Sequence, residues 1–142
     1  MRKPNWQPPA MIPFFVNLSQ EMLDSGKDQL INMKEVKGKP YLISDNEIER
    51  CLKLYREMNE DIPVFLEQCK RWLQLPITIS QRKQVLKIEA ITKERHDVNE
   101  QILSLVKKYK TYTIDKIMEM DPAELALDVL SGKLESSFFK SK

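Results

Sequence analysis

SDNEIERCLKLYREMNEDIPVFLEQCKRWL, residues 44–73, is the stretch whose reading decides the fold. Ile48, Cys51, Tyr55, Met58, Ile62, Phe65, Cys69 and Trp72 recur in it at alternating steps of three and four. That spacing keeps side chains on one stripe of a helix. A second such stretch, SQRKQVLKIEAITKERHDVNEQILSLVKKYK, occupies residues 80–110. There Ile88, Ile91, Val98, Ile102, Leu105 and Tyr109 repeat the pattern, with Gln84 and Arg95 in the two remaining slots. The short joint at residues 74–79 lets the two stripes meet only by folding back, as an antiparallel hairpin with a coiled-coil-like seam. Folding about the loop centre places Ile48 near Leu105, Tyr55 near Val98 and Phe65 near Ile88, so that paired numbers sum to about 153 by antiparallel geometry.

Both arms carry more apolar surface than a two-helix seam uses. Leu52, Leu66 and Leu73 widen the first stripe, and Leu86, Leu103 and Val106 widen the second. Three apolar slots per heptad describe a globular bundle. The expected fold is therefore all-α, a long hairpin over about residues 44–73 and 80–110 with shorter helices laid against it. The first helix and a helix beginning at Asp121 are the expected covers. A dimer interface or a partner groove is the other outlet for the surplus.

Outward from the hairpin, prolines at 4, 8, 9 and 13 predict an extended arm over residues 1–13. Trp6 in that arm needs a surface, on its own hairpin or on a partner. A helix from Pro13 or Phe14 to Ser25 should break at Gly26, with a further helical piece through Leu30, Ile31, Met33 and Val36. A short strand at residues 41–43 would lack an evident partner. Ser44 with Glu47 reads as a capping box, and Ser80 as the cap of the third helix. Pro63 predicts a kink near residues 59–62, with a break into two helices as the alternative. Asp121, Pro122 and Glu124 form a helix start, Leu125, Ala126, Val129 and Leu130 should point inward, and Gly132 ends the helix. One domain over residues 14–132 and a polar tail at 133–142 complete the organisation.

Charge narrows the function classes. The 142 residues are 31% charged with a net charge of +2, too balanced for a nucleic-acid footprint by itself. Residues 45–73 hold seven acids and five bases, and residues 80–110 four acids and eight bases, so the arms attract weakly. Cys51 and Cys69 lie about 27 Å apart along one helix at 1.5 Å per residue, too far to bond each other. Two reduced thiols, no export signal and no spanning segment give a cytoplasmic expectation.

The chemistry-bearing motifs are few. His96 is the only histidine, and no glycine-rich phosphate loop, Cys-x-x-Cys pair or nucleophile elbow occurs. No enzyme activity, metal or cofactor is expected. Asn59, Arg95 and His96 interrupt the seam as a polar notch. The plain reading is that Arg95 lays its stem on apolar surface and keeps its head wet beside Glu57, Glu60 or Asp61; the functional one is a binding or register-setting site. The leading expectation is a protein-interaction or assembly module, a homodimer first, contacting through Trp6, Trp72, Tyr112, Phe138 and Phe139. The alternative is a small nucleic-acid-associated regulator, with Lys107, Lys108 and Lys110 on phosphates and Tyr109 and Tyr112 on bases.

Overall fold

The computed structural model describes residues 4–36, 39, 43–110 and 113–133. Their regular elements are a 3-10 turn at Pro9–Met11 and helices α1 (Ile12–Glu35), α2 (Asp45–Leu73), α3 (Ile79–Tyr109), α4 (Ile114–Glu119) and α5 (Pro122–Leu130). The chain is an all-α bundle, with no strand among the described residues. The proposed strand at 41–43 falls largely outside them, although Ile43 is buried and its carbonyl accepts from the Ile114 amide at 3.0 Å. No helix is long and apolar enough to cross a membrane among the described residues.

The hairpin forms as α2 and α3, and α1 closes it. α1 runs parallel to α3: Ile12 shares a cluster with Val85 and Ile88, Lys27 pairs with Glu94 at 2.9 Å, and the Tyr109 hydroxyl donates to the Met33 carbonyl at 2.7 Å. Both α1 and α2 approach the backbone of α3 closely. They reach each other through aromatic rings, Phe15 standing 6.1 Å from Phe65 and 5.8 Å from Trp72.

The pairing register differs from a fold about the loop centre. Asn59 meets Asn99, and Glu49 meets Lys110, rather than positions 94 and 104. The joint is the reason. Residues 74–78 turn in stages: the Ile77 amide donates to the Leu75 carbonyl at 2.8 Å across Pro76, Thr78 is extended at ψ 165, and α3 begins past the end of α2, leaving Ile79 exposed. Extended chain climbs about 3.3 Å per residue against 1.5 Å in a helix, so a few such residues shift the register by more than a turn. Side chains that lean toward their own N-termini add to the offset. Thr78, not Ser80, is the cap of α3: its hydroxyl accepts from the Gln81 amide at 3.0 Å, and the Gln81 carboxamide oxygen accepts from the Thr78 amide at 2.9 Å. Ser44 caps α2, accepting from the Glu47 amide at 3.2 Å, which is one half of the capping box its sequence predicts.

Two further expectations are corrected. The arm ends early, because Pro9–Met11 already turns and Pro13 sits in the first turn of α1, where its missing amide costs nothing. Gly26 does not break α1, which runs on through it to Glu35. A Cβ there would stand 3.3 Å from Val98 Cγ1, so α1 and α3 approach each other closely at the glycine. Packing along the whole helix outweighs a local propensity cost of about 1 kcal/mol. Pro63 leaves α2 one helix to Leu73, as expected, and the alternative of two helices does not occur.

The last correction concerns what covers the surplus leucines. α1 covers part of them, joining its Leu23 and Leu30 to Leu52, Leu103 and Val106 in one cluster, while Leu86 stays 49% exposed. α5 does not. Asp121 caps it through the Ala123 amide at 2.8 Å and Gly132 ends it at φ 84, as the sequence predicts. Yet none of its residues is buried.

α4 is fastened to the start of α2 by a compact polar joint. The Asp45 amide donates to Asp115 Oδ2 at 2.7 Å, Thr113 Oγ1 donates to Asp45 Oδ1, and Lys116 Nζ lies 3.3 Å from Asp45 Oδ2. The Thr113 hydrogen bond, aided by Lys116, holds the Asp45 carboxyl below its ordinary value. A carboxylate with a depressed folded pKa stabilises above the unfolded value and loses that contribution as pH falls through the folded one. Thermal melts of the native chain and Asp45→Ala should therefore differ at neutral pH. That gap should close below about pH 4, where an unfolded aspartate takes up its proton. A gap that persisted unchanged at pH 2 would show that the charge on Asp45 contributes nothing.

Candidate functional site

Buried polar residues divide the core into two apolar clusters. One holds Ile12, Cys69, Trp72, Val85 and Ile88; the other is centred on Leu52, Tyr55, Val98, Ile102 and Val106. Ser19, Thr92 and Arg95 fall between them along α1 and α3, and Asn99 is buried one turn further on. This is the polar notch of the sequence, and it lies inside the bundle. The Asn99 amide donates to Asn59 Oδ1 at 3.0 Å, the Asn59 amide donates to Glu100 Oε1 at 3.1 Å, and His96 Nε2 lies 3.4 Å from that same oxygen. A polar ladder thus leads from the core to the half-exposed His96.

Arg95 stands apart from that ladder. Its side chain is 0% exposed rather than wet at the head, and none of its three guanidinium nitrogens has a hydrogen-bond partner. Its Cζ lies 4.9 Å from the centre of the Phe65 ring, whose π face takes over part of the role of solvent. Burial pushes the guanidinium below its ordinary pKa, and the charge of Asp61 opposes that shift. The head is dry because Arg95 occupies a slot of the seam stripe and its guanidinium lies against Phe65 of α2. Thr92 is satisfied within its own helix, donating to the Ile88 carbonyl at 2.7 Å.

The aromatic candidates divide in the same way. Trp72 is 1% exposed and belongs to the core, not to a contact surface. Its indole Nε1 donates to the Gln7 carbonyl at 2.9 Å, and the Gln7 amide donates to Gln68 Oε1 at 2.6 Å, so the N-terminal arm is strapped over it. Trp6 is half-buried on its own hairpin, with the Arg71 guanidinium 4.2 Å from its ring centre. Between arm and hairpin lies an apolar cavity of about 110 Å³, lined by Trp6, Phe15, Phe65 and Trp72 among others. Tyr112, Phe138 and Phe139 lie outside the described residues.

The basic segment is also split. Lys107 and Lys108 are exposed, and Lys110 pairs with Glu49 at 3.2 Å. Tyr109 is not available for stacking on a base. It is buried, its hydroxyl is held by Met33, and burial raises its pKa. Its place on the apolar heptad stripe already pointed inward. Both cysteines are unpaired; burial lifts the Cys51 thiol and pushes Cys69 up to about 12, which leaves Cys69 an inert core thiol. Among the described residues no group of three or more His, Cys, Asp or Glu side chains gathers as metal ligands.

Two surface features went unnoticed in the sequence reading. One is a groove of about 710 Å³ between the end of α1 and the first half of α2, with Val106 of α3 on its floor. Leu54, on its wall, lies off the heptad stripe and is 51% exposed. The other is the apolar surface of α4 and α5, where Met118, Leu127 and Leu130 are largely exposed. The signal for the second was present: residues 122–130 are apolar except for Glu124 and Asp128. Comparison with protein-family models, with curated proteins and with solved structures finds no match for this chain.

Proposed function

We propose that this chain is a non-catalytic helical-bundle module that acts by protein–protein association, with a second copy of itself as the first partner. The observation that carries this reading is the uncovered apolar surface of α5, where Leu127 is 66% and Leu130 is 84% exposed on a capped helix. Large apolar side chains grouped on one exposed element cost free energy in water, about 25 cal/mol per Å², and are relieved by association. Light scattering of the full chain across a wide concentration range tests the reading. The expected result is a mass of two chains at micromolar concentration; a strict single-chain mass up to millimolar concentration overturns self-association.

A further inference from the structure

α5 is apolar around most of its circumference, carrying Ala123, Leu125, Ala126, Leu127, Val129 and Leu130. Glu124 and Asp128, four residues apart, form its one polar strip. A helix of that kind is enclosed by its neighbours rather than laid on a surface. Nine residues also fall short of the length at which an isolated helix persists in water. α5 nevertheless makes no extended contact with α1, α2 or α3. It therefore calls for a seat with walls on more than one side.

The bundle has such a seat. Because α1 and α2 both lean on α3 and meet each other chiefly through large side chains, they leave a groove with two walls and a floor. Met33, Leu54 and Val106 line it on three different helices. Along its α2 wall Arg50 and Lys53 stand together between Glu47 and Glu57, so the middle of the wall offers two bases to an incoming acidic strip. The groove lies at the start of α2, the end to which Asp45 fastens α4. Only Met120 and Asp121, both extended, separate α4 from α5. Each copy thus presents an apolar helix from the end of the bundle where its own groove opens.

We propose that this groove receives α5 of a second copy of the chain, exchanged reciprocally about a two-fold axis. The exchange covers both α5 helices in one closed contact and adds a fourth helix to each bundle. It rests on the self-association reading and names the segment and the seat that perform it.

The test uses the full chain. Leu127→Glu with Leu130→Glu should reduce the mass from two chains to one while circular dichroism keeps the helical signal, since neither side chain is buried in the bundle. A Leu54→Cys chain mixed with a Leu127→Cys chain, both in a Cys51→Ala background, should form a mixed disulfide under mild oxidation. A dimer that survives both glutamates, without the mixed disulfide, overturns the α5 seat and leaves self-association standing. A strict monomer in the native chain overturns both readings. A monomer in which Leu54→Cys and Leu127→Cys placed in one chain close an internal disulfide shows that the seat belongs to the chain's own α5, and it overturns the second copy as occupant.

Discussion

Trp72→Ala should lower the stability of the bundle by about 3–5 kcal/mol, the range for removing a large aromatic from a packed core. Three losses combine there. The indole is wholly buried against Ile12, Cys69, Val85 and Ile88. Its ring stands 5.8 Å from Phe15, the side chain through which α1 reaches α2 at this end. Its Nε1–H anchors the arm on the Gln7 carbonyl. Urea denaturation followed by circular dichroism measures the first two. The third has its own readout, because the chain has two tryptophans and the variant keeps only Trp6. Emission from Trp6 should shift to the red as the arm leaves Arg71. Trp72→Phe should lose less, keeping much of the volume but not the hydrogen bond. A loss under 1 kcal/mol in the alanine variant would mean that the tip of the hairpin is not packed as described.

Arg95→Met should have the opposite sign and raise stability, by on the order of 1 kcal/mol, because the cost of desolvating the guanidinium exceeds what its single ring contact returns. The guanidinium is enclosed with none of its nitrogens hydrogen-bonded. Its compensations are the Phe65 ring and the charge of Asp61. A desolvated cation–π contact returns about 2 kcal/mol, against a desolvation cost of several kcal/mol for the ion. Methionine keeps an unbranched chain in the space and still packs on the ring. Arg95→Ala should not share the gain, because it opens a cavity between the two apolar clusters. Guanidinium denaturation midpoints of the three proteins decide the matter. A methionine variant less stable than the native chain would show that the charge is well satisfied in its buried place.

The polar level around Arg95 also marks the limit of what periodicity can reveal. Residues 93–97 break the apolar repeat, so the interruption was legible. Where its polar atoms go was not, because a heptad describes one face of one helix. The guanidinium goes onto the Phe65 ring inside the bundle rather than out to water. Trp72 and Tyr109 teach the same lesson in reverse. Both sit on the apolar stripe, and that placement describes them better than their polar tips do. Each tip found a backbone carbonyl, Gln7 for the indole and Met33 for the phenol.

Three local signals held, each closed within one turn of chain, although the cap of α3 falls at Thr78 rather than Ser80. The cap at Ser44, the Asp121–Pro122 helix start and the stop at Gly132 are short-range hydrogen-bonding and steric facts, settled before any tertiary contact forms. The all-α class and the antiparallel sense of α2 and α3 follow equally from residues 44–110, since two amphipathic stripes on a short joint have one way to meet. The tertiary structure alone decided the register, the continuity of α1 through Gly26, the burial of Arg95 and the exposure of α5. Each of those depends on how far the joint at residues 74–78 climbs and on which helix lies over which. Such distances are summed over many side chains from separate segments, and no single window of sequence contains them.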